Sequence, residues 1–346
     1  MFSEIKNRID KELTNYIHNI DKLYSLSQIS PVLFKNIKEF LCREGKRIRP
    51  ALFVMGYLGF AKRKAPGLFR SAISIELLHD FMLVHDDIID KADTRRGKPS
   101  MHAMLDKYLF GKKNLKFNCQ DLGIVAGDVI YAMALDAFLS IKEDMKRKEM
   151  ALKKLIKAAL YTGSGEFIEL LNGIKSLDKI TRDDIYKIYD LKTANYTFSA
   201  PLTIGATLAG AKQKQIDLLF KYGTYIGRAF QIKDDILGMF NEESVTRKSN
   251  LTDLKEAKKT ILIWYAYNNS DKKNKAIIKK IFAKSNIGMP DLKKMRRIIL
   301  NSGALDYAKK EISVLSKKAE NLSLGSEMNR EYLDSINNYT KKLFAS

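Results

Sequence analysis

The stretch ELLHDFMLVHDDIIDKADTRRG, residues 76–97, decides how this chain is read. An apolar segment runs directly into Asp86, Asp87, Asp90 and Asp93, followed by the adjacent Arg95 and Arg96. Working outward, the apolar residues of Leu68 to Ile89 include positions 73, 77, 81, 84 and 88. That is the i, i+3, i+4 spacing of a helix with one buried face. In such a helix Asp86 and Asp90 share a face, their Cβ atoms ~5–6 Å apart, and like charges so placed cost ~0.2–0.5 kcal/mol. Something should compensate. A divalent cation is one candidate, and oxygen-only ligands favour a hard ion, Mg²⁺ above all. The alternative is a solvated helix end paired with Lys91, Arg95 and Arg96, and taken alone the stretch suits that alternative better.

A second stretch shifts the balance. FQIKDDILGMF, residues 230–240, again sets adjacent aspartates, Asp234 and Asp235, after an apolar helical run. A packed bundle would not bury two such groups without counter-ions, because an unpaired buried carboxylate costs several kcal/mol or neutralises. Cations stand near both: Lys46 and Arg49 in EGKRIRP, where Pro50 fits the first turn of a helix; Arg95 and Arg96; Lys192 beside Thr193 in DLKTANYTF; and Lys248 and Lys258 after the second acidic stretch. Aspartate-held Mg²⁺ with Lys and Arg around it is the equipment for a diphosphate. No phosphate-binding glycine loop is present, so the diphosphate need not be a nucleotide. An apolar helical interior suits one carrying a hydrocarbon tail.

The rest of the chain supports an all-helical reading. Hydrophobic residues make up 45% of its 346 residues, enough for a sizeable core, and only six prolines occur. Breakers such as LGFAKRKAPG, TRRGKPS and FSAPLTIG separate segments with helical spacing; Thr181 to Phe198 and Gln215 to Met239 are two more. There is no fixed repeat and no linker between cores, which predicts one all-α domain of a dozen or more helices spanning 1–346. The net charge of +21 points to anionic partners, but the lysines are spread along the chain, which argues against dedicated nucleic-acid binding. Two distant cysteines, Cys42 and Cys119, make neither a disulfide framework nor a zinc site, and a cytoplasmic location is expected. The N-terminal residues do not read as a signal peptide. No uncharged run reaches the ~20 strongly apolar residues of a membrane span, leaving at most peripheral membrane contact.

Taken together, these stretches resemble the trans-isoprenyl diphosphate synthases (polyprenyl synthetases), and most of all the archaeal-type geranylgeranyl diphosphate synthases. The first aspartate-rich motif of that family is matched by HDDIID followed by RRG and His102; its other motifs by GKRIRP, the Lys192–Thr193 pair, a Gly127–Asp128 helix start and FQIKDDILG. The likeness is strong from about Gly45 to Ile263 and weak in the tails. It implies a large helical bundle around an apolar cavity and the condensation of isopentenyl diphosphate with allylic diphosphates (dimethylallyl, geranyl, farnesyl). Lys46, Arg49, His79 and Arg96 would hold isopentenyl diphosphate. Asp86, Asp90 and Asp234 would bind three Mg²⁺ on the allylic diphosphate. Arg95, Lys192, Lys248 and Lys258 would add positive charge, with Thr193 and Gln231 near the reacting carbons. Phe81 and Met82, five and four residues before Asp86, would set chain length more than one ~5.4 Å turn below the carboxylates, and a Phe at the fifth upstream position resembles the twenty-carbon pattern. A homodimer is implied. The residues depart from the pattern at Gly238, Arg247 and Ala257, and the last leaves open whether Lys258 or Lys259 occupies the family's lysine position. Asp87, Asp93 and Asp235 are undecided as metal ligands. The alternatives are a farnesyl or longer-chain synthase, a terpene cyclase, a non-catalytic regulatory subunit, or a basic helical protein that binds nucleic acid or membrane.

Overall fold

The computed structural model describes residues 1–240, 251–322 and 327–344. They are almost entirely helical and divide into two compact units.

The first unit comprises Met1–Leu155 and Ile204–Ala211. Helix α1 (Phe2–Tyr24) buries Ile5, Ile9, Leu13, Tyr16, Ile17 and Ile20, one face at helical spacing. Short α2 (Leu26–Ile29) leads to α3 (Pro31–Leu41), which carries its proline in the first turn. Helix α4 (Ile48–Leu58) is buried along most of its length. Helix α5 (Leu68–Ile89) has the limits that its periodicity predicts, but it is buried round most of its circumference rather than on one face. Its buried set includes the expected Ile73, Leu77 and Val84, and also Glu76, Asp80 and Asp87. The reason is position: α1, α4, α6 (Met101–Leu109) and α7 (Cys119–Leu139) all pack against α5. Each apolar side chain buried this way contributes roughly 1.5–3 kcal/mol, and the buried charges must be offset by partners.

After α5 the chain forms a two-stranded antiparallel hairpin, β1 (Thr94–Arg95) and β2 (Lys98–Pro99), with Arg95 opposite Lys98. Its turn residues Arg96 and Gly97 both have positive φ, 56° and 74°, the pattern of a tight two-residue hairpin turn. Helix α7 starts with an Asn118–Asp121 capping box. Gly127 and Asp128 therefore lie well inside α7, not at a helix start. A Cβ at Gly127 would lie 2.5 Å from His85 Nε2, so the glycine leaves room for the tip of that ring. Among the described helices α7 also has the length and mean hydropathy, 1.8, of a membrane span, a candidate that the charge pattern of the sequence hid. It packs one face on α5 and α6, carries Asp128 and Asp136 within it, and leaves Ile124, Val125 and Leu139 exposed on another face.

The second unit comprises Ile156–Thr203 and Lys212–Ser346. Helix α8 (Met145–Ile174) contributes its C-terminal part. The segment from Thr181 is not one α-helix: α9 (Arg182–Tyr189), capped by Thr181 and Asp184, gives way to a π-helix over Asp190–Ser199 and then to α10 (Ala200–Ala209). Long α11 (Gln213–Phe240) packs on the π-helix. A Cβ at Gly227 would lie 2.3 Å from Ala194 Cα, so only glycine permits this approach. Tyr189, Ile232, Leu254, Ile261, Leu292, Met295 and Ile299 belong to the core beneath. Both cysteines are free thiols.

Candidate functional site

Each unit carries one of the acidic stretches, with its own set of cations. In the first unit the Asp90 amide donates to the Asp86 carbonyl at 2.8 Å, so the two aspartates do stand one helical turn apart, both half-exposed. Asp87 points the other way. It is fully buried and paired with Arg95, whose Nε donates to Asp87 Oδ1 at 2.7 Å. Burial works against the Arg95 charge, but the bond to Asp87 and the charges of Asp87, Asp86 and Asp90 hold its pKa above the ordinary value. Asp93 is exposed.

The hairpin turn sends its neighbouring arginines to different partners. Arg96 Nη2 lies 3.3 Å from Asp80 and 3.9 Å from Glu76. Arg43, 4% exposed, donates to the carbonyls of Arg95 (3.3 Å) and Pro99 (2.8 Å) and pairs with Glu39, so it fixes the hairpin from below. Arg49 sits in the first turn of α4, with exposed Lys46 two residues ahead of that helix. His79 feels them together: burial first, then the charges of Arg49, Arg96, Arg95 and Arg47, push its pKa well below that of a free histidine. The ring thus sits amid four guanidiniums, of which Arg47, Arg95 and Arg96 also face carboxylates. Three of the four residues expected to hold isopentenyl diphosphate, Arg49, His79 and Arg96, are thus gathered.

Below Asp86, the half-buried Phe81 ring packs at a 45° tilt against Tyr131 of α7 (centroids 5.1 Å) and edge-on to His85 (4.7 Å). Met82 turns into the core, 9% exposed.

In the second unit Asp234 is exposed while Asp235 is buried. Gln231 Nε2 donates to Asp235 at 3.0 Å, and the Tyr189 hydroxyl donates to the other carboxylate oxygen. Burial, then the charge of Asp235 and this bond, raise the Tyr189 pKa well above the ordinary value. Thr193 Oγ1 donates to Gln231 Oε1 at 2.6 Å, so Thr193, Gln231 and Asp235 form one chain of hydrogen bonds. The π-helix places Thr193 there, and its start is anchored by Arg228, whose Nε and Nη2 grip Asp190 at 2.6 and 2.5 Å. Lys192 pairs with Glu166 and Glu169 of α8. Burial alone would raise the Glu169 pKa; Lys192 and Lys258 instead hold it low, so both expected lysines reach one carboxylate. Lys258 also pairs with Glu256 at 2.5 Å, while Lys259 donates to the Gly173 carbonyl at 2.6 Å. The register is thereby separated: Lys258 faces the acidic cluster and Lys259 clamps backbone. Ala257 has φ 53°, the left-handed region that favours glycine. Lys248 lies outside the described residues.

Among the described residues no three His, Cys, Asp or Glu side chains converge on one point as a metal cluster. The Asp86–Asp90 pair in the first unit, and Asp234 in the second, each offer carboxylate oxygen, the kind of donor that suits Mg²⁺ when substrate oxygens and water complete the shell.

The sequence profile described as Polyprenyl synthetase matches residues 30–299. The chain belongs to the polyprenyl synthetase family. This polyprenyl synthetase is 31% identical to the short chain isoprenyl diphosphate synthase of Methanocaldococcus jannaschii over 88% of this chain and 84% of the other. It is 27% identical to the geranylgeranyl diphosphate synthase of Methanosarcina mazei, covering 94% and 92%. It is 32% identical to the geranylfarnesyl diphosphate synthase of Aeropyrum pernix, covering 80% and 82%. Its fold matches the crystal structure of a geranylgeranyl pyrophosphate synthase from Corynebacterium glutamicum complexed with isoprenyl diphosphate and magnesium, with TM-score 0.89, 24% identity and coverage of 100% and 99%. The family and the all-α class expected from the motifs are therefore established, and with them prenyltransfer as the class of reaction.

Several residues of the site escaped the sequence reading. Glu76 and Asp80 carried a signal, two carboxylates one turn apart in an apolar helix. Arg43, Arg47, Tyr131 and Tyr189 carried none, because each becomes special only through a partner far away in sequence.

Proposed function

We propose that this polyprenyl synthetase is a geranylgeranyl diphosphate synthase that condenses isopentenyl diphosphate with dimethylallyl, geranyl and farnesyl diphosphates. Asp86, Asp90 and Asp234 would hold Mg²⁺, three ions per site, which when bound neutralises charge on the leaving diphosphate. Arg95, Lys192, Lys248 and Lys258 would add positive charge to that same group. Lys46, Arg49, His79 and Arg96 hold the second diphosphate, with His79 donating or accepting a hydrogen bond as a neutral ring. The allylic carbon–oxygen bond breaks and its electron pair leaves with the diphosphate. The alkene of isopentenyl diphosphate then forms the new carbon–carbon bond, and a proton leaves to the departed diphosphate. Thr193 and Gln231, already hydrogen-bonded to each other, present oxygen dipoles toward the electron-poor carbons. An apolar interior keeps water from the cation. The relative from Corynebacterium, whose structure holds isoprenyl diphosphate and magnesium, supports this assignment of ligands.

The observation that carries the twenty-carbon product is Phe81 braced by Tyr131 and His85 at the fifth position before Asp86. Product analysis with labelled isopentenyl diphosphate, Mg²⁺ and each starter from five to twenty carbons tests it. A twenty-carbon product is expected, and Phe81→Ala should lengthen it; accumulation of longer chains by the wild type, or an unchanged profile in Phe81→Ala, would reject Phe81 as the floor. The whole chain acts as a single cytoplasmic catalytic domain and pairs as a homodimer. The exposed Leu160, Phe167, Leu170, Leu171 and Ile174 of α8 support that pairing.

A further inference from the structure

Beneath the arginine cluster lie two carboxylates that the reaction does not use. Glu76 and Asp80, one turn apart on α5, are 2% and 0% exposed. Glu76 is satisfied: Arg47 Nη1 donates to it at 2.7 Å, and Arg47 in turn bonds Asp10 of α1 at 2.8 Å and the Arg43 carbonyl at 2.7 Å. Asp80 is not. Among the described residues neither of its oxygens has a hydrogen-bond partner, and its close cation is Arg96 Nη2 at 3.3 Å. On the far side of the same guanidinium, Arg96 Nη1 is buried and likewise lacks a hydrogen-bond partner among the described residues. A buried carboxylate with no hydrogen bond is costly, and so is a buried N–H. Both persist at one spot, at the tip of a hairpin whose turn residue is Arg96 itself.

A guanidinium has five donors in a rigid fork, so it can meet a carboxylate with one edge and a phosphate with another. We propose that Asp80 is a positioning residue of the isopentenyl diphosphate site, its buried carboxylate holding Arg96 so that the unsatisfied edge of the fork faces the incoming diphosphate. This rests on Arg96 being a ligand of that diphosphate. The groups around Asp80 are Glu76 and His79 on α5, Arg47 and Arg49 from the start of α4, Arg96 from the hairpin and the Cys42 thiol at the end of α3. Burial foremost pushes the Asp80 pKa up, to about 7; Arg96 pulls it down, Glu76 raises it, and Arg47 and Arg49 lower it. The carboxylate is therefore ionised, and grips Arg96, above neutrality, and weakens its grip as pH falls.

The test is steady-state kinetics of the purified chain with Mg²⁺, varying isopentenyl and allylic diphosphates separately from about pH 6 to about pH 9. Asp80→Asn keeps the volume and is neutral throughout. Its KM for isopentenyl diphosphate should exceed the wild-type value by about tenfold above pH 8 and converge on it near pH 6, with kcat and the allylic KM within about twofold. A ratio that is the same at every pH marks a merely structural role, and a ratio at or below one at high pH marks simple repulsion of the diphosphate; either overturns the proposal. Arg96→Ala separates the two levels. If it leaves the KM for isopentenyl diphosphate unchanged, Arg96 is not a ligand and the site assignment fails. If it raises that KM while Asp80→Asn does not, only the role of Asp80 fails. Should Asp80→Asn not fold, the pH profile of Arg96→Ala decides: the step near neutrality should vanish with the partner guanidinium, and its persistence overturns the proposal.

Discussion

The two acidic stretches look alike as letters and are built differently. In each, adjacent aspartates sit on a helix about 100° apart, so one must turn inward when the other faces out. In the first, inward Asp87 is neutralised by a full charge, Arg95. In the second, inward Asp235 accepts from two neutral donors, Tyr189 and Gln231. The outward members, Asp86 and Asp234, are the ones left accessible to a ligand. In both stretches the inward aspartate is tied into the packing, and the outward one is the ligand proposed above.

The largest effect should come from the outward residues. Asp86→Ala or Asp90→Ala should lower kcat by roughly 10³-fold or more in an isopentenyl transfer assay, with an unchanged thermal midpoint, since loss of charge stabilisation of the leaving group falls on the barrier. Transfer equal to wild type would end the catalytic assignment of the pair. The inward residues should differ in stability. Asp87→Ala strands Arg95 in a buried place and should cost about 3–5 kcal/mol in denaturant unfolding. Asp235→Asn keeps a carbonyl for Tyr189 and should cost about 1–2 kcal/mol. Equal losses would show that the Arg95 partner of Asp87 weighs no more than the Tyr189 and Gln231 partners of Asp235. The smallest effect concerns His79. With its pKa pushed well below the free value it is already neutral across the assay range, so His79→Gln should leave the pH profile of the KM for isopentenyl diphosphate unchanged between about pH 6 and pH 9. A step that disappears in this variant would show that the ring titrates there.

Legibility followed the range of the interaction. The pairing of Asp86 with Asp90 could be read directly, because it depends on four residues of helix and nothing else. So could the limits of α5. The Asp86-to-Arg95 stretch announced opposite charges, but not which aspartate takes the arginine, since that depends on the hairpin, and strands of two residues leave no period to detect. The buried Glu76 and Asp80 sat in plain view within an apolar helix and were passed over because only the helices packed round α5 make their burial costly. Tyr131 and Tyr189 lay beyond any local pattern. The π-helix was hidden for another reason: over ten residues its period is too close to that of an α-helix to separate by apolar spacing.

That π-helix carries a consequence for how this site can change. A π segment is wider than an α-helix and behaves as an α-helix with residues inserted. Within that segment Lys192, Thr193 and Ala194 meet Glu169, Gln231 and Gly227 in turn. A substitution here alters the contacts of one side chain, whereas removing a single residue from 190–199 would rotate everything after it by about 100°. The segment is therefore sensitive to its residue count as well as to its letters.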